Sequence, residues 1–369
     1  MIYFDNAATG GYKPESVIAA AAAAMRACAN AGRSSHALSL ACAERVQAVR
    51  TILQDFFGAP NAEKVIFTKN CTEALNIALL GTLRPGDKVV TTVAEHNSVL
   101  RPLKYLENSG VTVRYAPLDR SGNVDLKQFA ALSADASAAV VTLASNVTGV
   151  APDIYAIKRS IPAQTMLICD GAQACGHERI DLTALGIDAL AVAGHKGMLA
   201  MQGSGALIMS ERFSPRPVMF GGTGSVSYDL SMPDFYPDRL EAGTLSYPAI
   251  ISLGEGALYL KTRLYENRDR LVYLTDLLIN GLSELPSVTV YSRTNPFGII
   301  AFDVSGRPSE SVAEELSQTY GICVRAGLHC APLMHGALGT SGLVRASLSP
   351  FNTRGEVEYF LKVMGEIAA

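Results

Sequence analysis

Tryptophan is missing from this 369-residue sequence, and so is any apolar run long enough to cross a bilayer. No membrane-spanning helix is therefore expected. An excess of positive charge is also lacking: 31 Lys and Arg against 34 Asp and Glu leave a net charge of -3, with no basic stripe to attract nucleic acid. The first ten residues have neither the basic start nor the apolar core of an export signal, and no Ser- or Pro-rich linker or internal repeat divides the chain. Cysteines are few and odd in number, seven without framework spacing, which speaks against an extracellular disulfide scaffold and for a reducing cytoplasm. What is abundant is aliphatic: with 49% hydrophobic residues the chain can bury a large core, and its length exceeds one simple core. Two packed domains, or one large α/β domain with an appendage, are expected.

A first helix is predicted from about Pro14 to Asn30, built on the strong helix formers Ala19 to Ala24. From residue 64 a regular alternation begins. Short β-rich runs fall at Val65–Phe67, Lys88–Thr92, Thr112–Tyr115, Ala138–Leu143, Met166–Cys169, Ala189–Ala193 and Ala206–Met209. Helical stretches at Thr72–Leu83, Ser98–Asn108, Leu126–Leu132 and Asp153–Ser160 separate most of the earlier ones. That rhythm predicts a mostly parallel sheet covered by helices on both faces. After residue 248 the texture changes to a long helix (Pro248–Leu285), four short strands and helices at Glu310–Tyr320 and Thr353–Ile367, which reads as a smaller α+β unit. The expected division is a large domain over 15–250 and a small one made of 1–14 and 251–369.

In open α/β sheets, functional groups gather where strands end. One apolar strand ends on Asp170, with Gln173 three residues on. Another, 26 residues later, ends on His195-Lys196. An aspartate there can be a plain turn residue and a lysine a solvated one. As a pair in a desolvated cleft they suit pyridoxal phosphate (PLP): an amine able to form an imine, and a carboxylate that keeps the pyridine nitrogen protonated. Asn70-Cys71-Thr72-Glu73 follows a strand and opens a helix. It has the form of a capping box, and its free N–H groups with the Thr72 hydroxyl make an anion site for a phosphate. His96 ends the next strand, where it is either a satisfied loop residue or a ring that stacks on the cofactor.

These segments, with Tyr3–Ala8, Thr72–Asn76, Glu95–Ser98, Ser145-Asn146, Glu241–Thr244 and Arg345-Ala-Ser, resemble the class V aminotransferase superfamily over nearly the whole chain, and within it the cysteine desulfurases. The resemblance implies the type I, aspartate-aminotransferase-like PLP fold and a homodimer with cofactor sites at the subunit interface. It makes Lys196 the cofactor lysine, which later moves the Cα proton. Asp170 pairs with the pyridinium, Gln173 with the ring hydroxyl oxygen, and His96 stacks on the ring. Thr72 and His195 hold the phosphate, Cys71 counts among the cofactor-binding residues, Thr244 reaches the partner subunit's phosphate, and Asn146 and Arg345 hold the substrate carboxylate.

A second cluster surrounds Cys330, with Arg325 and His329 upstream of it. A cysteine among Leu and Pro is often inert packing. Cys323, His329, Cys330 and His335 match no common zinc spacing, so no metal is expected. The short arginine–cysteine segment resembles the group II desulfurases, related to selenocysteine lyases. On that resemblance L-cysteine becomes L-alanine and its sulfur passes to Cys330 as a persulfide, then to an acceptor protein; L-selenocysteine is the alternative substrate. Cys28 and Cys42 fall in helix patterns, Cys169 and Cys323 in strands. In two places the sequence departs from the family pattern. Ala193 stands where a phosphate-binding hydroxyl is usual, and Gly197-Met-Leu-Ala-Met-Gln-Gly replaces a loop that usually contains Gly-Pro. Other readings of the same residues are a selenocysteine lyase, another class V enzyme in which Cys330 is incidental, and a degenerate PLP-fold protein acting as a binding partner.

Overall fold

A computed structural model describes residues 1–27, 29–32 and 34–368; the reading of Cys28 therefore lies outside the described residues. Seven strands form the main sheet, in the spatial order Val65–Thr68, Gly205–Met209, Ala189–Ala193, Met166–Asp170, Ala138–Thr142, Lys88–Thr92 and Thr112–Ala116. All pairings are parallel except those of Gly205–Met209, which runs antiparallel to both neighbours. The strand expectations hold to within a residue or two. Four of these strands are buried at every position, because helices cover both faces and no side of the pleat meets water. In Ala189–Ala193 the pleat sends Leu190 and Val192 into one core, and Ala189, Ala191 and Ala193 into the other. The three methyl side chains let the helix Cys71–Thr82 lie close on that face. A Leu at 191 would have to displace it, an overpacking of about 1–3 kcal/mol.

The N-terminal region differs from expectation. The first helix ends at Arg26 rather than near Asn30, and a second, Ala37–Phe57, was not foreseen as a separate element. His36 caps it by accepting the Ser39 N–H, and Gly58 ends it in the left-handed region at φ +67°.

The 37-residue helix Tyr247–Ser283 joins two cores. Leu253, Ala257 and Leu260 belong to the core of the main sheet, whereas Leu271, Leu274, Leu278 and Leu282 pack with Phe302, Phe360 and Val312. The latter core backs a four-stranded antiparallel sheet, ordered Arg325–Gly327, Leu343–Ser347, Ile299–Val304, Val288–Val290. The single strand expected at Ile322–Arg325 divides: Ile322–Cys323 pairs in parallel with Ile2–Tyr3, and Arg325–Gly327 joins the four-stranded sheet. No helix among the described residues is long and apolar enough to cross a membrane.

Candidate active site

The carboxyl ends of five parallel strands open into one cavity of about 220 Å³. Asp170, Gln173, His195 and Lys196 line it from the two central strands, Asn70, Cys71 and Thr72 from the end of Val65–Thr68, and His96 from the end of Lys88–Thr92. Asn146 lines it from the loop after Ala138–Thr142, and Arg345 and Arg325 close it from the smaller sheet. Nine of the eleven site residues expected from the sequence thus converge, and Cys330 and Thr244 do not line this cavity.

Asp170 is buried at the cavity floor. Its Oδ1 accepts from the Ala172 N–H (2.9 Å) and the Cys71 thiol (3.4 Å), while no described residue bonds to its Oδ2. Burial pushes the Lys196 amine below its ordinary pKa; Asp170 opposes that shift, and Arg345 and Arg325 add to it. The result favours the neutral amine that imine chemistry needs. Burial beside Asp170 also pushes the Cys71 thiol well up, so it stays a protonated donor. Lys196 sits on a tight turn. A Cβ on Gly197 would lie 2.4 Å from the Cys175 carbonyl oxygen, and one on Gly176 would lie 2.2 Å from that of Gly197. Only glycine pairs let those backbones pass.

At the helix start, Asn70 Oδ1 caps the Glu73 N–H at 2.9 Å, but the Glu73 carboxylate turns to the Lys69 N–H, so the reciprocal half of the capping box is not formed. The amides of Cys71 and Thr72 remain free at the positive end of a twelve-residue helix. The Thr72 hydroxyl meets Ser98 Oγ at 2.9 Å, and Ser98 in turn meets His96 Nδ1 at 2.9 Å. His96 is pushed down to about 4 by burial and by Lys196, Arg325 and Arg345 against the pull of Asp170, so its ring is neutral. His195, also pushed down to about 4 by burial and the nearby lysines, hydrogen-bonds Thr9 through Nδ1.

Arg345 is 1% exposed. Nη1 donates to the Asn146 carbonyl at 2.9 Å and Nη2 to Asp5 at 3.0 Å, but Nε, equally buried, has no partner. A buried, unpaired guanidinium N–H costs free energy until an acceptor arrives, and a carboxylate supplies one. Asn146 donates Nδ2 to the His329 carbonyl at 2.7 Å, so its amide nitrogen holds the Cys330 loop. Gln173 Nε2 donates to the Ala7 carbonyl at 3.0 Å, leaving its second N–H and Oε1. Ser98 and Asp5 were not foreseen as site residues; both lie in the segments Glu95–Ser98 and Tyr3–Ala8 that the sequence marked out.

Cys330 is exposed, in a second recess of about 440 Å³ that shares Thr72, His96 and Ser98 with the first. His329 and Cys330 both adopt left-handed backbone (φ +48° and +57°), a conformation that costs non-glycine residues of order 1–3 kcal/mol each. The strain is held by Asn146 on the His329 carbonyl, the Asn97 N–H on the Cys330 carbonyl (2.7 Å), and His329 Nε2 donating to the Leu343 carbonyl (3.1 Å). Arg325 Nη2 lies 3.8 Å from Cys330 Sγ.

The free Asp170 Oδ2, the unpaired Arg345 Nε and the open helix amides fit a molecule with a protonated ring nitrogen, a substrate carboxylate and a phosphate. With the seven-stranded sheet, they define a type I fold of the PLP-dependent transferases. A family model for class-V aminotransferases matches residues 2–360. Among curated proteins, the probable cysteine desulfurase of Methanothermobacter thermautotrophicus is 34% identical over 92% of this chain and 88% of its own. The cysteine desulfurase of Yersinia pestis is 32% identical over 97% and 91%. The solved cysteine desulfurase of Thermococcus onnurineus superposes with a TM-score of 0.93 at 34% identity, covering 100% of this chain and 94% of that one. The Escherichia coli cysteine desulfurase CsdA does so with 0.88 at 28%, covering 99% and 94%. The chain belongs to the class-V aminotransferase family and, within it, to the cysteine desulfurases, a family of PLP-dependent enzymes.

Proposed function

We propose that this protein is a PLP-dependent cysteine desulfurase that converts L-cysteine to L-alanine and takes the sulfur onto Cys330 as a persulfide. The observation that carries the reading is the convergence of Lys196, Asp170 and Arg345 on one cavity, with Cys330 at an adjoining recess. When bound, PLP withdraws electrons from the substrate Cα and makes the C–S bond cleavable. Lys196, held towards its neutral form, would attach the cofactor and move the Cα proton. Asp170 Oδ2 would keep the proton on the ring nitrogen, Gln173 would serve the ring oxygen, and the neutral His96 would pack on the ring. The Cys71 and Thr72 amides, the Thr72 hydroxyl and His195 would take the phosphate. Arg345 holds the substrate carboxylate through Nε, with Asn146 beside it. The Cys330 thiolate, beside the Arg325 cation, bonds to the substrate sulfur as the C–S bond breaks. The electron pair left on carbon takes a proton, giving alanine.

Thr244 is exposed and its side chain makes no hydrogen bond within the described chain, as suits a group that reaches a partner subunit's phosphate. Met219, Phe220, Val226, Tyr228, Leu230 and Phe235 stand exposed in the segment before it, apolar surface that a homodimer would cover. We place the working location in the cytoplasm, with an acceptor protein taking sulfur from Cys330, and divide the chain into 15–250 and 1–14 plus 251–369. The pairing of Ile2–Tyr3 with Ile322–Cys323 supports that division. The test supplies L-cysteine and L-selenocysteine separately and measures alanine with sulfide or selenide. Alanine from cysteine in the wild type and none in Lys196→Ala is expected. Selenocysteine-only activity would make the protein a selenocysteine lyase, and a wild type left colourless by added PLP would end the reading.

A further inference from the structure

Arg50 and Glu241 form a buried ion pair between the unforeseen helix Ala37–Phe57 and the segment that carries Thr244, at the wall of a recess of about 610 Å³ that Thr244 also lines. Arg50 Nη1 meets Glu241 Oε1 at 2.8 Å and Nη2 meets Oε2 at 2.5 Å, a two-pronged contact between side chains 4% and 5% exposed. Both groups also bond to one strand of the main sheet. Arg50 Nη1 donates to the Val65 carbonyl, Glu241 Oε1 accepts the Phe67 N–H at 2.6 Å, and the guanidinium lies 4.4 Å over the Phe67 ring. Neither group touches the cavity that holds Lys196.

Burying two charges is costly, and a well-packed apolar pair in the same place is often as stable. The pair therefore calls for a role beyond stability, and its position supplies one. Only Ala242 and Gly243 separate Glu241 from Thr244, and Gly243 adopts φ +94°, a backbone conformation that favours glycine. On the other side, Ser246 begins the long helix, where its carbonyl accepts the Ile250 N–H at 3.0 Å. Thr244 thus rides on a short exposed bridge held on one side by the helix start and on the other by this ion pair together with the Gly243 N–H, which donates to the Gly222 carbonyl at 2.9 Å.

We propose that the Arg50–Glu241 pair is a positioning device that sets Thr244 for the cofactor phosphate of the other subunit, so that each subunit's buried pair tunes its partner's cofactor affinity. This rests on the reading of Thr244 given above. The planar fork matters because it fixes orientation as well as distance: a lysine at 50 would keep the charge and lose the geometry.

The experiment uses dual-tagged, full-length heterodimers in which one subunit carries Lys196→Ala, so that only the other subunit's site can hold PLP covalently. PLP affinity of that live site is read from its absorbance on titration. With Glu241→Gln placed on the Lys196→Ala subunit, the live site should bind PLP roughly ten- to hundredfold more weakly, the loss expected for one misplaced hydrogen bond to a charged group. With Glu241→Gln on the subunit that keeps Lys196, affinity should match the wild type. Arg50→Lys in the same two layouts gives the same pattern and serves if Glu241→Gln does not assemble. Weakening in both layouts alike, or only when the change shares a subunit with Lys196, overturns the proposal. Thr244→Ala in the same layouts separates the two ideas. If it has no effect across subunits, the partner-site reading fails. If it acts across subunits while neither Glu241→Gln nor Arg50→Lys does, the positioning role alone fails.

Discussion

Replacing Arg345 by lysine tests whether the buried guanidinium is the substrate's carboxylate anchor. Lysine keeps the charge but offers a point donor, whereas the site is built around a fork: Nη1 and Nη2 are committed to Asn146 and Asp5, and Nε is the buried donor left over. An ammonium at this position would be drawn to Asp5 and the Asn146 carbonyl, leaving nothing to replace the Nε–carboxylate bond. A hydrogen bond between charged groups is worth about 1.5–3 kcal/mol, and each 1.4 kcal/mol is tenfold, so kcat/KM for L-cysteine should fall roughly 10- to 150-fold. Because neither Asp170 nor the helix amides change, PLP affinity by absorbance titration should stay within about twofold, and the loss should appear mainly in KM. Steady-state alanine production and the titration together make the measurement. An Arg345→Lys enzyme with unaltered KM would show that the substrate carboxylate binds elsewhere. One with weakened PLP would show that Arg345 supports the cofactor instead.

Cys330→Ala should bind PLP and L-cysteine as the wild type does and yet lose alanine formation from cysteine, while breakdown of selenocysteine survives; near-wild-type activity on cysteine would reduce Cys330 to packing. Ala193 lines the cavity where a hydroxyl is usual, so Ala193→Ser should tighten PLP binding by up to about one charge-assisted hydrogen bond, 1.5–3 kcal/mol, and unchanged affinity would mean another group already serves the phosphate. His329, 2% exposed, is pushed down to about 3 by burial and by Arg345 and Arg325. Its folded pKa lies below its unfolded value, so between pH 6.5 and about 3 the unfolded chain takes up a proton that the native one refuses, and stability falls as pH falls. Urea melts at pH 7, 6 and 5 should show His329→Asn losing less stability per unit than the wild type, by at most about 1.4 kcal/mol per pH unit. Identical slopes would mean that His329 titrates alike in the folded and the unfolded chain.

Much of this protein is determined locally. Strands such as Val65–Thr68 and Ala189–Ala193 are legible because burial on both faces demands an unbroken apolar run, which no helix of that length needs. Asp170, Lys196, Thr72 and His96 are legible because each closes such a run, and in a parallel sheet all those ends lie on one edge. What could not be read was whatever depends on partners far away in sequence. The helix Ala37–Phe57 carries its meaning in one residue, Arg50, whose partner Glu241 is 191 positions away. Asp5 looks like part of an N-terminal motif until the fold sets it against Arg345, 340 residues on. The failed half of the Asn70–Glu73 cap turned on the neighbouring Lys69 N–H, a competition that spacing does not reveal. The left-handed turn at His329 and Cys330, unfavourable by local sterics, exists only because Asn146, Asn97 and Leu343 hold it from elsewhere. Local pattern marked which residues meet at the cavity, since strand burial and helix starts are short-range physics. Tertiary structure alone decided how they are aimed, because buried charges and strained turns persist only when distant groups satisfy them.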